Sequence, residues 1–253
     1  MTFPLRTTSM LAPLMLRTDM PRQVSTAYWA GAHARKVEKL PNLVEYIQRH
    51  FSTTDHGYWP ATIGVGTRVP QHRRLDGCAE IRFRSTIATL MTATRAREVY
   101  LDEQNVFERV IGYAAPPGDG RWWTDGFADA SGHHVMLLIR RRRGVRSSVF
   151  REFVHERMAR ALRDAGVGDL RTYAFLPWSR WLNSSPGVAH DNPVQHRHHA
   201  AVVLGTENRA AVDDLLRSRS VTALVAEQHT VCTAVHAYSV DRSVPVIRTN
   251  AGA

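Results

Sequence analysis

The sequence predicts an α+β protein made of two tandem ferredoxin-like βαββαβ repeats packed sheet against sheet. Three observations lead there. The order strand, helix, strand, strand, helix, strand can be read twice along the 253 residues. A turn-rich stretch, PPGDGRWWTDG at 116–126, separates the two runs. Strands such as TVCTAVHAYSV at 230–240 are apolar on both faces, so each sheet needs a cover on the side its helices leave bare. The economical cover is the sheet of the other repeat.

The first repeat is expected over 9–115. SMLAPLML (9–16) is a short apolar strand, a helical pattern runs from about Pro21 to Leu40, and LVEYIQRHF (43–51) is the second strand. A Gly- and Pro-containing connection (52–75) leads to GCAEIRF (77–83), in which Ala79, Ile81 and Phe83 alternate with Glu80 and Arg82 as in a half-buried strand. A helical stretch around 85–110 and a short run, RVIGYAA (109–115), complete the unit.

The second repeat is expected over 133–241. HHVMLLIRR (133–141) is a strand, and SSVFREFVHERMARALRDAG (147–166) is a helix with a serine start and a glycine stop. LRTYAFLPW (170–178) is a strand, and a loop rich in Pro, Asn and His (179–197) precedes HHAAVVLGT (198–206). Helix ENRAAVDDLLRS (207–218) and strand 230–240 follow, before a polar tail.

Hydrophobic and charged fractions of 43% and 22% are those of a folded globular chain. The chain has no long apolar run, and its N-terminus lacks a continuous apolar core followed by a cleavage site. A cytoplasmic protein with no membrane partner is therefore expected. Cys78 and Cys232, each in an apolar run, read as buried thiols. The net charge of +10 raises nucleic acid as a partner. Against it, the arginines are scattered, the cluster IRRRRG (139–144) ends a strand where side chains alternate faces, and aromatics are not interleaved with the cations.

The chemistry concentrates in AYWAGAHARKVEKL (27–40). At about 100° per residue, Trp29, His33, Val37 and Leu40 share one stripe, while Arg35, Glu38 and Lys39 point elsewhere. A histidine on that buried face is a packed core residue bonded to a carbonyl, a metal ligand or a proton-transfer group. Tyr46, Gln48 and His50 share one strand face, turned either to the helices or to the barrel interior. Asp76 and Glu80 are candidate orienting carboxylates, Glu80 being equally suited to pair with an arginine across the sheet. The loop AHDNPVQHRHH offers His190, Asp191, His196, His198 and His199, but their irregular spacing around a proline lacks the pattern of a metal site. GVG (64–66) is only a fragment of a dinucleotide fingerprint, and SSPG (184–187) lacks the setting of a nucleophilic serine.

Four motifs in register over roughly 10–114 resemble the EthD family of the dimeric α/β-barrel superfamily: Tyr28, Trp29 and His33 in the helix; Tyr46, Gln48 and His50 in the next strand; Asp76, Gly77, Glu80 and Phe83; and Asp102, Glu103 and Phe107. The resemblance implies an intramolecular dimeric α/β barrel with a pocket between the helices and sheet of a repeat. The second repeat departs from the motifs, with Met158 opposite His33 and Pro177 opposite His50. Only the first repeat is expected to bear a site.

The expected function is a cofactor-independent enzyme of lyase, cyclase or cofactor-free oxygenase type, acting on a hydrophobic aromatic or polyketide-like substrate. His33, His50 and Tyr46 would be catalytic, and Tyr28, Trp29, Gln48, Glu80, Phe83 and Phe107 would bind substrate, with no metal. Alternatives are a haem-binding enzyme of the same superfamily, a non-catalytic small-molecule carrier and an anion-binding module. Two pseudo-dimers could pair further as a homodimer.

Overall fold

A computed structural model describes residues 3–123, 132–180 and 185–248. Part of the 116–126 linker and Ser184 of the SSPG stretch lie outside the described residues.

Strand β1 (Phe3–Pro4) precedes the first unit, which contains β2 (Ser9–Leu16), β3 (Leu43–His56), β4 (Gly77–Phe83), β5 (Phe107–Val110) and β6 (Tyr113–Ala115). Its first helical layer is α1 (Arg22–Tyr28), a π-helical turn (Trp29–His33) and α2 (Ala34–Glu38) in unbroken succession. Its second is α3 (Thr86–Ala93) and α4 (Arg97–Glu103), where the sequence suggested one longer helix. After β7 (Gly120–Trp122), the second unit contains β8 (His133–Arg141), β9 (Asp169–Ala174), β10 (Ala200–Thr206) and β11 (Cys232–Arg248). Its helices are α5 (Ser147–Glu152), a π-helical stretch (Phe153–Met158), α6 (Ala159–Asp164), α7 (Arg209–Arg217) and α8 (Arg219–Glu227). The expected polar tail is a correction: β11 continues through it to Arg248.

The strand order is β1-β7-β9-β10-β8-β11-β3-β4-β2-β5, with β6 also on β2. Each unit keeps the ferredoxin-like order, and the antiparallel pairing of β11 with β3 joins them through a bulged register. Opposite this seam, Leu176 N–H donates to the Ala114 carbonyl (2.9 Å) and Phe175 stacks on Tyr113. The result is a dimeric α/β barrel formed within one chain. Leu11, Phe51, Met136, Leu138, Val203 and Tyr238 fill its interior, and separate apolar cores lie between each sheet and its helices. Cys78 and Cys232 are buried and free. Among the described residues no helix is long and apolar enough to cross a membrane.

One end of the barrel interior is ionic. Glu80 accepts from Arg49 of its own unit (2.8 Å) and, from the other unit, from Arg171 (3.0 Å) and the Tyr173 hydroxyl (2.5 Å). Arg171 also reaches Glu45 and lies over the Trp122 ring. Burial pushes the Glu80 carboxyl up, but Arg171, Arg49 and Tyr173 overcome that and hold it at about 2. A charge removed from such a cluster leaves its partners buried without compensation. Glu80→Gln should therefore destabilise the fold by about 3 to 5 kcal/mol, read as a lower urea midpoint; a midpoint equal to that of the parent protein would show that the cluster does not hold the two units together.

Candidate active site

The apolar stripe of the first helical layer faces the sheet as its periodicity requires, but the turn carrying it is π-helical. The wider i→i+5 turn sets His33 beneath Trp29, and both are buried. Trp29 can lie against the sheet because β4 begins with Gly77. A Cβ there would stand 2.6 Å from the Arg49 carbonyl and 2.7 Å from the Trp29 ring. Trp29 Nε1–H donates to the Tyr46 hydroxyl (3.2 Å), which also receives Gln48 Nε2–H (3.2 Å). With two donors already directed at that oxygen, its own proton is left for a third group.

Between this layer, α3–α4 and the sheet lies a cavity of about 280 Å³. Its walls are mostly apolar, including Leu14, Val37, Ile81, Phe83, Val99 and Phe107. The polar groups on it include His33, Tyr46, Tyr100, Glu103 and His190. Its described lining contains no lysine or arginine.

His33 is oriented by a carboxylate that the sequence reading did not assign a role. Its Nδ1 lies 2.9 Å from Asp102 Oδ2, at the end of α4. Tyr28 hydroxyl (2.7 Å), Asn105 Nδ2 (3.1 Å) and Lys36 Nζ all donate to Asp102 Oδ1. Burial would raise the Asp102 carboxyl, but the bonds from Lys36, Tyr28, His33 and Asn105 take it down to about 2. An ionised Asp102 requires the proton of a neutral His33 on Nδ1, leaving the Nε2 lone pair free; among the described residues Nε2 has no hydrogen-bond partner. Burial lowers the His33 pKa below its ordinary value, with Asp102 opposing. The imidazole is thus a neutral base near pH 7.

Glu103 is perturbed in the opposite sense. Burial lifts its carboxyl to about 7, against a hydrogen bond from Ser185 Oγ. Ser185 and His190 come from the connection between β9 and β10 in the second unit. His190 Nδ1–H donates to the Val110 carbonyl (2.7 Å), and Ser185 N–H donates to His190 Nε2 (3.0 Å). Ala189 bridges β5, its N–H on the Glu108 carbonyl (2.9 Å). The cavity of the first unit is therefore walled in part by the second, which sequence spacing could not reveal.

The other expected site residues divide. Trp29, Tyr46, Phe83 and Phe107 line the cavity with His33. Gln48 and His50 face the helices but lie behind Trp29, with Gln48 donating to the Trp29 carbonyl (2.8 Å) and the His50 ring tilted against that of Trp29, centroids 4.2 Å apart. Burial, with Arg242 and Arg22, depresses His50 to about 4. Tyr28 reaches Asp102 instead of the cavity. Glu80 lies on the opposite sheet face in the barrel cluster, and Asp76 pairs with Arg22 and holds the Leu16 amide (2.8 Å). Neither carboxylate orients His33.

The histidines of the 190–199 loop have separate partners. His198 Nε2 meets His236 Nδ1 (3.0 Å), and His199 Nδ1 accepts the Arg141 amide (3.3 Å). Among the described residues no three His, Cys, Asp or Glu side chains are grouped to hold a metal ion. A haem does not suit the cavity either: its described lining holds no lysine or arginine to pair with propionates. In the second unit, Phe150, Phe153, Met158 and Leu162 fill the helix–sheet layer, in which His155 is buried against the Thr172 hydroxyl (2.8 Å).

No family model and no curated protein matches the chain. Solved structures do match, over nearly the whole length. An anthrone oxidase-like protein superposes with a TM-score of 0.59 at 8% identity, covering 100% of both chains. A candidate monooxygenase from Fusobacterium nucleatum gives 0.57 at 6% identity, covering 95% of this chain and 93% of its own. Another from Lactobacillus acidophilus NCFM gives 0.55 at 9%, covering 96% and 98%. At such identities the likeness is one of fold.

Asp102→Asn removes the group that raises the His33 pKa. NMR titration of the imidazole should find it lower in the variant than in the parent; an unchanged or higher value would mean that Asp102 does not set the protonation of His33.

Proposed function

We propose that the protein is a cofactor-independent enzyme that transfers a proton on a hydrophobic aromatic or polyketide-like substrate, in a reaction of lyase or cyclase type. The observation that carries this reading is the His33–Asp102 pair opening onto a largely apolar cavity. His33 Nε2 takes a proton from an acidic carbon or phenol of the substrate, and Asp102 stabilises the imidazolium that forms. The Tyr46 hydroxyl donates to the developing enolate or phenolate oxygen. Burial pushes Tyr46 up to about 12, so it remains a neutral donor. Glu103, protonated up to about pH 7, lines the same cavity and is able to return a proton to the substrate. Trp29, Phe83 and Phe107 supply the apolar and aromatic contacts that a flat, hydrophobic substrate requires. The anthrone oxidase-like neighbour supports polycyclic ketones as the first compounds to assay.

His50, Gln48 and Tyr28 act at one remove on this reading: Gln48 and His50 brace Trp29, and Tyr28 helps keep Asp102 ionised.

Incubation in D₂O with a panel of anthrones and phenolic polyketide mimics should show solvent deuterium entering the substrate. His33→Ala should lower the rate by about 10² to 10⁴ with the circular dichroism spectrum kept. The pH profile should be a narrow bell. Rate rises as His33 loses its proton, below 6.5, and falls above about 7 as Glu103 ionises; Glu103→Gln should remove the alkaline limb. Saturable binding with no exchange or turnover by the parent protein would instead establish a carrier, and unaltered exchange in His33→Ala would end the assignment to that residue.

A further inference from the structure

The end of the barrel interior remote from Glu80 has a different character. There a cavity of about 180 Å³ opens between the two units, floored by the apolar side chains of Met15, Val69, Leu75, Ile111 and Ala234. Four arginines stand around it: Arg68, Arg73, Arg109 and Arg140. Alternation along β8 explains Arg140. Met136 and Leu138 point into the barrel, and Arg140 continues that face at the mouth, while Arg141 turns outward to Ser147. The exposed carboxylate of Asp191 answers Arg109 and Arg73, the latter at 3.5 Å. Among the described residues no carboxylate is within ion-pair reach of Arg68 or Arg140; Arg140 Nε donates to the Arg197 carbonyl (3.3 Å).

The surrounding histidines do not offset this charge. His236 and His196 line the same cavity. Burial and, after it, the neighbouring arginines push both below their ordinary value, so neither adds charge near pH 7 and both register a positive field. A half-buried guanidinium without a counter-charge favours an anionic guest over water. The apolar floor beneath the arginines favours a guest with a hydrophobic body.

We infer that this mouth is a second binding site, separate from the His33 cavity, for a small organic anion: a carboxylate held by Arg140 and Arg68, with its apolar body seated on Leu75, Ile111 and Ala234. The two units contribute to it jointly, Arg140 and Ala234 from the second and the rest of these residues from the first. Barrel mouths are regular places for ligands, and this one has its charge at the rim and its apolar surface at the bottom.

Titration calorimetry with sodium benzoate, benzyl alcohol and inorganic phosphate tests the assignment. Benzoate should bind saturably and benzyl alcohol should not at the same concentration; phosphate should bind more weakly than benzoate. Arg140→Met should weaken benzoate by about tenfold. Arg68→Ala, at an exposed position that the fold does not need, should weaken it several-fold. Ala93→Trp, which plugs the His33 cavity, should leave benzoate binding intact. Absence of benzoate binding, or binding unaffected by both arginine variants, overturns the site. Loss of binding only in Ala93→Trp would place benzoate in the His33 cavity and also overturn it. Phosphate binding as tightly as benzoate would overturn the organic class.

Discussion

The arrangement depends on a single buried carboxylate. Glu80 sits where the two sheets face each other and is satisfied only by groups from both: Arg49 on its own side, Arg171 and Tyr173 on the other. An apolar interior tolerates sliding of one sheet over another more readily than does a charge with three fixed donors, because any other register would leave the charge or its donors unpaired. The cluster also occupies the barrel centre at one end, leaving an opening at the other. Space for a ligand between a sheet and its helices is then found in the first unit.

Duplication makes it possible for those layers to diverge. The same plan, with a π-helical turn at the corresponding place, occurs in both units. In the second, Met158 and Phe153 belong to the apolar core of the layer. In the first, His33 stands where Met158 does, Gly77 lets Trp29 approach the sheet, and α4 brings Asp102 and Glu103 to the wall. The second unit thus shows that this helix packs with methionine at the position of His33, its own buried histidine, His155, lying elsewhere in the turn against Thr172, and its β9–β10 connection supplies Ser185 and His190 to its neighbour's cavity.

Much of the fold was legible because alternation and helical periodicity reflect burial directly. The runs 9–16, 77–83 and 133–141 are strands with those bounds. Alternation in GCAEIRF also placed Glu80 opposite Ala79, Ile81 and Phe83, and that local signal agrees with its position in the barrel better than the motif-based expectation of a pocket residue. The extension of β11 was not legible, since Asp241, Arg242 and Ser243 read as a tail when their pairing with β3 is unknown. Helix α8 was missed because Ser218, which caps it through the Val221 amide, reads equally as the end of the preceding helix. His33 and Asp102 are 69 residues apart. Composition and spacing can nominate each, but only the packing of α4 on the first helical layer makes them a pair.

The pairing matters because the cavity wall is apolar and carries few charges. In such surroundings burial moves every titratable group toward its neutral form, lowering histidine and raising carboxylates. Left to burial alone, His33 would be a weak base and Asp102 a protonated acid. Four donors on Asp102 reverse its direction, and the ionised carboxylate in turn keeps His33 basic enough to accept a proton. Glu103, its neighbour in sequence, has among the described residues the Ser185 hydroxyl alone to set against burial and the Asp102 charge, and so retains its proton to about pH 7. Two adjacent carboxylates on one short helix are thereby driven apart, one fixed as an anion that supports a base and the other kept as an acid. The proposed proton exchange would use both states at the same pH, and here the difference comes from how many donors each carboxylate meets.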